Sequence, residues 1–443
     1  NKLMKLFTAL IILFILSNCS FDDKTGIWKN ENTIKTDVES PFKDFKTISN
    51  SKKIFDKTIT LDKKMVLNLS QVIKNSQWTD PFYSDSNNTN NFKYNGNYQL
   101  ILNGKKLSKY KSSKILLFHD DNIILNDVKG NVIVYSIIKK EIIRKFNFYK
   151  NKYKGFKKNL NFVIDKNIIY VSDNLGYIYA FDYQSNSLLW AKNLQIPFKS
   201  NLKIYKNIVI SASHKNNIFF LNKNNGEIIK SIPTEETKVT NQFVNNFSIK
   251  DDNLFFLNSF GSLYSINLKL KTINWFINLN QSLELTSNNL FKGNQIINDK
   301  NRIIVSSDKL SYLLDSQTGN ILSKSNYLSN LKPIINNELI FFVTKNNFLI
   351  AAKLDDGGIL YSYDIKNQLS KFLNINKKLE INNFFLVNNK IFLFLNNKYV
   401  ALFNVNGRIE KINKLPSKIK TNPIFIDGSI MYLDNKNKLK IVD

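Results

Sequence analysis

The chain has 443 residues, one cysteine and two histidines, and its 63 Lys and Arg against 35 Asp and Glu give a formal charge of +28. A single thiol excludes an intramolecular disulfide and any thiolate zinc cluster, and His119 and His214, far apart and without HxxxH or HExxH spacing, offer no metal pair. The Lys excess accompanies an equally pervasive use of Asn and Ile, so scattered lysines such as Lys152, Lys154, Lys157 and Lys158 read as solvated loop rather than as a nucleic-acid patch.

The first element is an export signal. Lys2 and Lys5 precede an apolar run from Leu6 to Leu16, too short for a permanent membrane helix, and Cys19 follows directly. Residues 1–18 are expected to be a lipoprotein signal peptide and Cys19 the lipidated residue, although Asn18 stands where Gly, Ala or Ser is usual. Ser20, in place of Asp, implies an outer-membrane destination with the protein on the periplasmic face. Loss of Lys2 and Lys5 with the signal leaves +26. Residues 19–55 are polar and weakly periodic, the pattern of a flexible tether. Residues 56–97 are expected to be an extension that packs on the folded body, and they contain the segment WTDPFYSDSNNTNN from Trp78 to Asn91.

From residue 98 onward short strands and turn signals recur. In Asp165–Trp190 the runs Ile168–Val171 and Tyr177–Phe181, joined through Gly176, form a hairpin, and a further strand ends at Trp190. Seven more copies align on Gly176, starting at Gly130, Asn216, Gly261, Lys309, Asn347, Asn397 and Asn437, at a period near 44 residues. Gly226, Gly319, Gly357 and Gly407 stand ten positions after the reference column and Trp190 and Trp275 fourteen after it. Tight turns that need positive φ explain the glycines, and the tryptophans are expected to seal one unit against the next. The period and about four strands per unit predict an all-β, eight-bladed propeller over 98–443 with no helix after the signal. The last copy stops after its third strand, so the stretch Tyr98–Tyr110 is predicted to complete it and close the ring.

The pattern of Gly176, Ile178, Ala180, Phe181, Asp182 and Trp190, with Asp315, Thr318 and Gly319, resembles the PQQ-type repeat of quinoprotein dehydrogenases and of the BamB family of outer-membrane assembly lipoproteins. Arg144, Lys230, Ser323 and Lys411 replace Trp in its column. The lipoprotein signal, the Trp- and Pro-bearing segment at Trp78 and the copy at Asp356, Gly357 and Gly358 followed by two more point towards the BamB family. That resemblance implies a non-catalytic scaffold without cofactor or metal. It would dock on the periplasmic domains of a β-barrel assembly pore, help present unfolded outer-membrane clients, and be held to the membrane by its lipid. The pore-binding loops it implies fall at Glu235–Asn241 and Gln281–Asn288, with Glu236, Thr237, Val239, Asn241, Glu284, Ser287 and Asn288 as contact candidates. Two alternatives belong to other classes: a PQQ-type quinoprotein-like enzyme, which would need a cofactor in the central channel and a cysteine pair that one cysteine cannot provide, and a periplasmic polymer-binding propeller. The paired carboxylates Asp120 and Asp121, Asp251 and Asp252, and Asp355 and Asp356 read as turn residues that cap their own backbone.

Overall fold

The computed structural model describes residues 55–149, 153–235, 246–280, 291–293, 295–307, 310–329, 331–372 and 380–443, with the backbone of Cys19–Phe21 and Trp28–Asn30. The chain divides into two units, residues 1–53 and 54–443. In the first, Cys19–Phe21 and Trp28–Asn30 pair antiparallel, with Cys19 opposite Asn30.

The second unit consists of eight four-stranded antiparallel sheets. Blade 1 is built from Leu117–His119, Asn122–Asn126, Asn131–Ser136 and Glu141–Asn147. Blades 2 to 7 repeat this order, with inner strands at Leu160–Asp165, Lys203–Tyr205, Asn246–Lys250, Ile297–Asp299, Ile334–Asn336 and Ile381–Val387. Blade 8 takes three strands from Ile424–Ile426, Ser429–Leu433 and Lys438–Val442, and its outer strand is Leu100–Lys106, with Leu100 opposite Val442 and Lys106 opposite Lys438. The predicted closure is therefore present, and it completes the last blade to four strands by joining the two ends of the propeller.

Middle strands are covered on both faces by neighbouring blades, so Asn131–Ser136 is buried at every position. Outer strands face solvent; in Ser187–Asn193 only Trp190 is buried. Trp190 lies over the turn glycine of the next blade: a Cβ added to Gly226, which has φ +71°, would sit 2.7 Å from Trp190 Cζ3. The indole Nε1 also donates to the Lys223 carbonyl at 2.9 Å. Trp275 docks in the same way on Gly319 and the Ser316 carbonyl. In the two blades that start at Gly130 and Asn347 in the repeat register, the column is filled differently. Arg144 donates to the carbonyls of Tyr183 and Gln184, and Tyr361 lies over Gly407. The sealing role is thus a geometric slot against a positive-φ turn, which an indole, a phenol or a guanidinium can fill.

Two sequence expectations need correction. A short helix, Ile365–Ser370, follows the outer strand of blade 6; the Asp364 side chain accepts from the Asn367 amide and caps it, while Ile365 and Leu369 are buried. Lys158 is not solvated: it is 3% exposed, its Nζ donates to the Tyr153 carbonyl and lies 5.4 Å from the Tyr149 ring centre. Burial lowers its pKa, with Lys129 adding to the effect. The turn carboxylates behave in part as read: Asp120, Asp121 and Asp251 sit in positive-φ turns, and Asp355 and Asp356 accept from the Asp356 and Gly358 amides at 2.8 and 2.7 Å, whereas the Asp252 carboxylate pairs with Lys269 and accepts from the Tyr205 hydroxyl.

Candidate functional site

Residues 75–92 run across the axis of the ring and bond to the inner strand of every blade. The Trp78 and Phe118 backbones exchange two 2.8 Å hydrogen bonds in blade 1, and Ile164 of blade 2 donates to the Thr79 carbonyl. Asp80 pairs with Lys203 of blade 3 at 2.8 Å, and Ile249 of blade 4 donates to the Asp85 carbonyl. The Asn87 amide bridges the carbonyls of Phe247 in blade 4 and Ile296 beside blade 5 at 2.8 and 2.7 Å. Asn88 exchanges two hydrogen bonds with the Ile335 backbone of blade 6. Phe92 donates to Leu386 of blade 7, and Asn75 donates to Phe425 of blade 8. This segment is a plug. Its Asn side chains serve carbonyls that the next strand of a continuous sheet would otherwise satisfy.

The plug is held by aromatic packing as well. Phe92 stacks on Phe425 at 5.5 Å and 9°, and Trp78 lies 4.8 Å from Tyr83. Tyr83 and Asn87 both adopt positive φ, at 85° and 61°. Asn tolerates that region readily, whereas for Tyr it is uncommon and is stabilised here by the ring contacts.

On one side the plug forms the floor of a cavity of about 260 Å³. The floor carries Trp78, Pro81, Phe82 and Thr89, and the wall is made by residues such as Lys114, Lys332, Asn383 and Asn422. Lys114, Lys332 and Asn422 immediately precede inner strands, so the cavity opens on the face where the connections between blades enter. Lys332 reaches the Phe82 carbonyl at 3.1 Å and also the Asn87 carbonyl, which ties blade 6 to the plug. It is half-buried at the cavity wall yet deep within the protein, and desolvation pushes its pKa down to about 7 despite the opposing pull of Asp80. Desolvation likewise raises the pKa of Asp85, against the field of Lys203. Lys203 is fully buried, and its pairing with Asp80 and the Ser84 carbonyl satisfies a charge that would be costly alone.

The seven contact candidates Glu236, Thr237, Val239, Asn241, Glu284, Ser287 and Asn288 lie outside the described residues. The neighbouring Glu235 is described; its carboxylate accepts from Asn258 and Ser262 at 2.9 Å each, anchoring the start of the first loop on blade 4. Cys19 begins the first short strand of the N-terminal unit. His119 bonds Tyr183 and His214 faces the Pro197 carbonyl, so the structure does not bring them together. The plug's role escaped the sequence reading; its only signal was a cluster of Asn, Ser and Asp too dense for one turn. Among the described residues no group of three or more His, Cys, Asp or Glu could hold a metal ion, and no helix is long and apolar enough to cross a membrane.

Comparison with known proteins places this architecture. Protein Ycf2 of Physcomitrium patens is 26% identical over 436 residues, covering 89% of this chain but 18% of its own length. The outer membrane protein assembly factor BamB of Legionella pneumophila is 22% identical over 200 residues, covering 42% of this chain and 48% of that protein. The chain thus matches less than half the length of either. Among solved structures, BamB from Moraxella catarrhalis superposes with a TM-score of 0.59 at 14% identity, over 76% of this chain and 99% of that one. A europium-containing methanol dehydrogenase gives 0.59 at 10% identity, over 83% and 89%. These two structures share the fold. The family model described as outer membrane protein assembly factor BamB matches residues 147–369, half of the chain and five successive blades, and by that match the chain belongs to the BamB family.

Proposed function

We propose that this protein is a non-catalytic docking scaffold of the outer-membrane β-barrel assembly machinery, exported and anchored through a lipid on Cys19. Family membership supports the class of work, and the plug is the observation that carries the choice against an enzyme. It spans the axis with bonds to all eight blades, and the cup above it is lined by apolar and aromatic side chains together with Lys114, Lys332 and the amides of Gln295, Asn382, Asn383 and Asn422. Calcium requires several oxygen ligands, usually including carboxylates, and the residues lining the cup include none. The likeness to a methanol dehydrogenase concerns the fold, which hosts many activities.

In this reading the connections leaving blades 3 and 4, with Glu236 to Asn241 and Glu284 to Asn288, contact the periplasmic domains of the pore. Outer strands supply free edges on which an unfolded client strand could add by β-augmentation. Photocrosslinking from positions 237, 239 and 287 in intact cells tests the assignment: adducts with the assembly pore are expected, and crosslinks only to unrelated envelope proteins would overturn it. Mixing the purified protein with pyrroloquinoline quinone and calcium tests the enzyme alternative. Stoichiometric uptake with alcohol oxidation would replace the scaffold reading.

A further inference from the structure

Charge is distributed unevenly over blades 8 and 1. On the face of the turns between first and second and between third and fourth strands, Asp120, Asp121, Glu141 and Asp427 stand among Lys139 and Lys140, so the charges there are mixed. On the opposite face, where the cup opens, the exposed residues Lys109, Lys111, Lys129, Lys154, Lys418 and Lys436 stand together. Hydrogen bonds join their segments into one surface. Val128 donates to the Lys111 carbonyl, Lys129 Nζ reaches the Lys154 carbonyl at 3.4 Å, and Asn437, beside Lys436, donates to the Tyr110 carbonyl. Among the described residues none of the six forms an ion pair, and the one carboxylate near Lys418 and Lys436, Asp434, is buried and paired with Lys440.

Two exposed aromatic side chains sit within this basic surface. Phe156, 61% exposed, lies between Lys154 and Lys157 in the connection from blade 1 to blade 2, and Tyr110, 37% exposed, has the ammonium groups of Lys109 and Lys129 at 5.7 and 5.9 Å from its ring centre. An exposed Phe flanked in sequence by Lys154 and Lys157 gains nothing from water. Aromatic rings at headgroup depth flanked by Lys suit an anionic bilayer surface, where Lys meets phosphate and the ring enters the interface.

We propose that the inter-blade-connection face of blades 8 and 1 is a peripheral docking surface for anionic phospholipid bilayers, with lysines binding headgroup phosphate and Phe156 inserting at the interface. The surface is separate from the loops after blades 3 and 4 assigned to the pore, so either assignment can fail alone.

The test is vesicle flotation of the full chain carrying Cys19→Ala, with phosphatidylcholine vesicles with or without about 30 mol % phosphatidylglycerol. Subtracting binding to neutral vesicles removes any contribution of the apolar leader. Each Lys near an anionic surface contributes roughly a five-fold factor in affinity. The quadruple Lys109→Gln, Lys111→Gln, Lys129→Gln, Lys154→Gln variant is therefore expected to lose roughly several hundred-fold of the phosphatidylglycerol-dependent binding, and Phe156→Ser a smaller part without any charge change. A control at Lys139→Gln and Lys206→Gln, on the other face, should lose little. Unchanged binding in the quadruple variant, or an equal loss in the control, would overturn the proposal. So would displacement by inorganic phosphate beyond that by chloride at equal ionic strength, because the surface would then be a soluble-anion site. Should the quadruple variant unfold, Phe156→Ser with Lys154→Gln decides the matter, since both lie on an exposed connection.

Discussion

The seal between blades can be tested at Gly226. The substitution Gly226→Ala asks two things of the structure: a side chain at φ +71° and a methyl group within 3 Å of the Trp190 ring. The backbone term is about 1–2 kcal/mol. Displacing a buried indole that also donates to the Lys223 carbonyl adds about 1–3 kcal/mol of overpacking. The expected loss is about 2–5 kcal/mol. For a cooperative unit spanning 54–443, an unfolding entropy of about 2.1 cal/mol/K per residue makes this a fall in Tm of about 2–6 °C. A double-mutant cycle separates the terms. Trp190→Ala removes the ring and costs about 3–5 kcal/mol by itself. In that background the new methyl group has room, and Gly226→Ala should cost only the backbone term. Urea unfolding of the four proteins should therefore give a coupling of about 1–3 kcal/mol. Additive losses, within about 0.5 kcal/mol, would refute the idea that the indole rests on this glycine.

Other perturbations probe the plug. Lys203→Met leaves the carboxylate of Asp80 buried without its partner and should cost about 3–5 kcal/mol in urea unfolding, with Asp80→Asn in the same chain restoring part of it. Asn87→Ala strips the plug of its bonds to the Phe247 and Ile296 carbonyls; cleavage within 75–92 by a nonspecific protease should accelerate several-fold while the far-ultraviolet spectrum is retained. Lys332 has a folded pKa of about 7, below its unfolded value, so between about pH 7 and 10.5 the unfolded chain binds the extra proton. Its contribution to stability is lowest below pH 7 and rises as pH climbs through that window. Melting of the wild type relative to Lys332→Met should show this rise, and a flat difference would contradict the buried position of the ammonium group.

Much of the wheel was legible because its turns are chemically demanding. Positive φ at Gly176, Gly226, Gly319 and Gly407, and at Asn186, Asn216, Asn347 and Asn437, restricts residue choice, and a restricted column survives in a single sequence. Closure by Leu100–Lys106 followed from counting strands. The plug was not legible, since its bonds run from Asn and Ser to backbone carbonyls, and a carbonyl is the same at every residue. Lys203 carried a faint sign, a cation in a strand otherwise aligned with apolar ones. Tyr361 was not legible in the sealing column because the slot is set by geometry against a positive-φ turn, which an indole, a phenol or a guanidinium can each fill. The helix Ile365–Ser370 is short enough that its cap, Asp364, looks like one more turn residue.

The way the ring closes also orders its assembly. Blade 8 joins a strand near residue 100 to strands near residue 440, so on a growing chain blades 1 to 7 can form in succession while the closing strand waits. Residues 75–92 wait with it, for they span partners from blade 1 to blade 8 and have their full set only in a finished ring. Protection of the plug from protease is thus a clock for the completed wheel, and variants that fold every blade but never close should be recognised by a plug that stays open to cleavage.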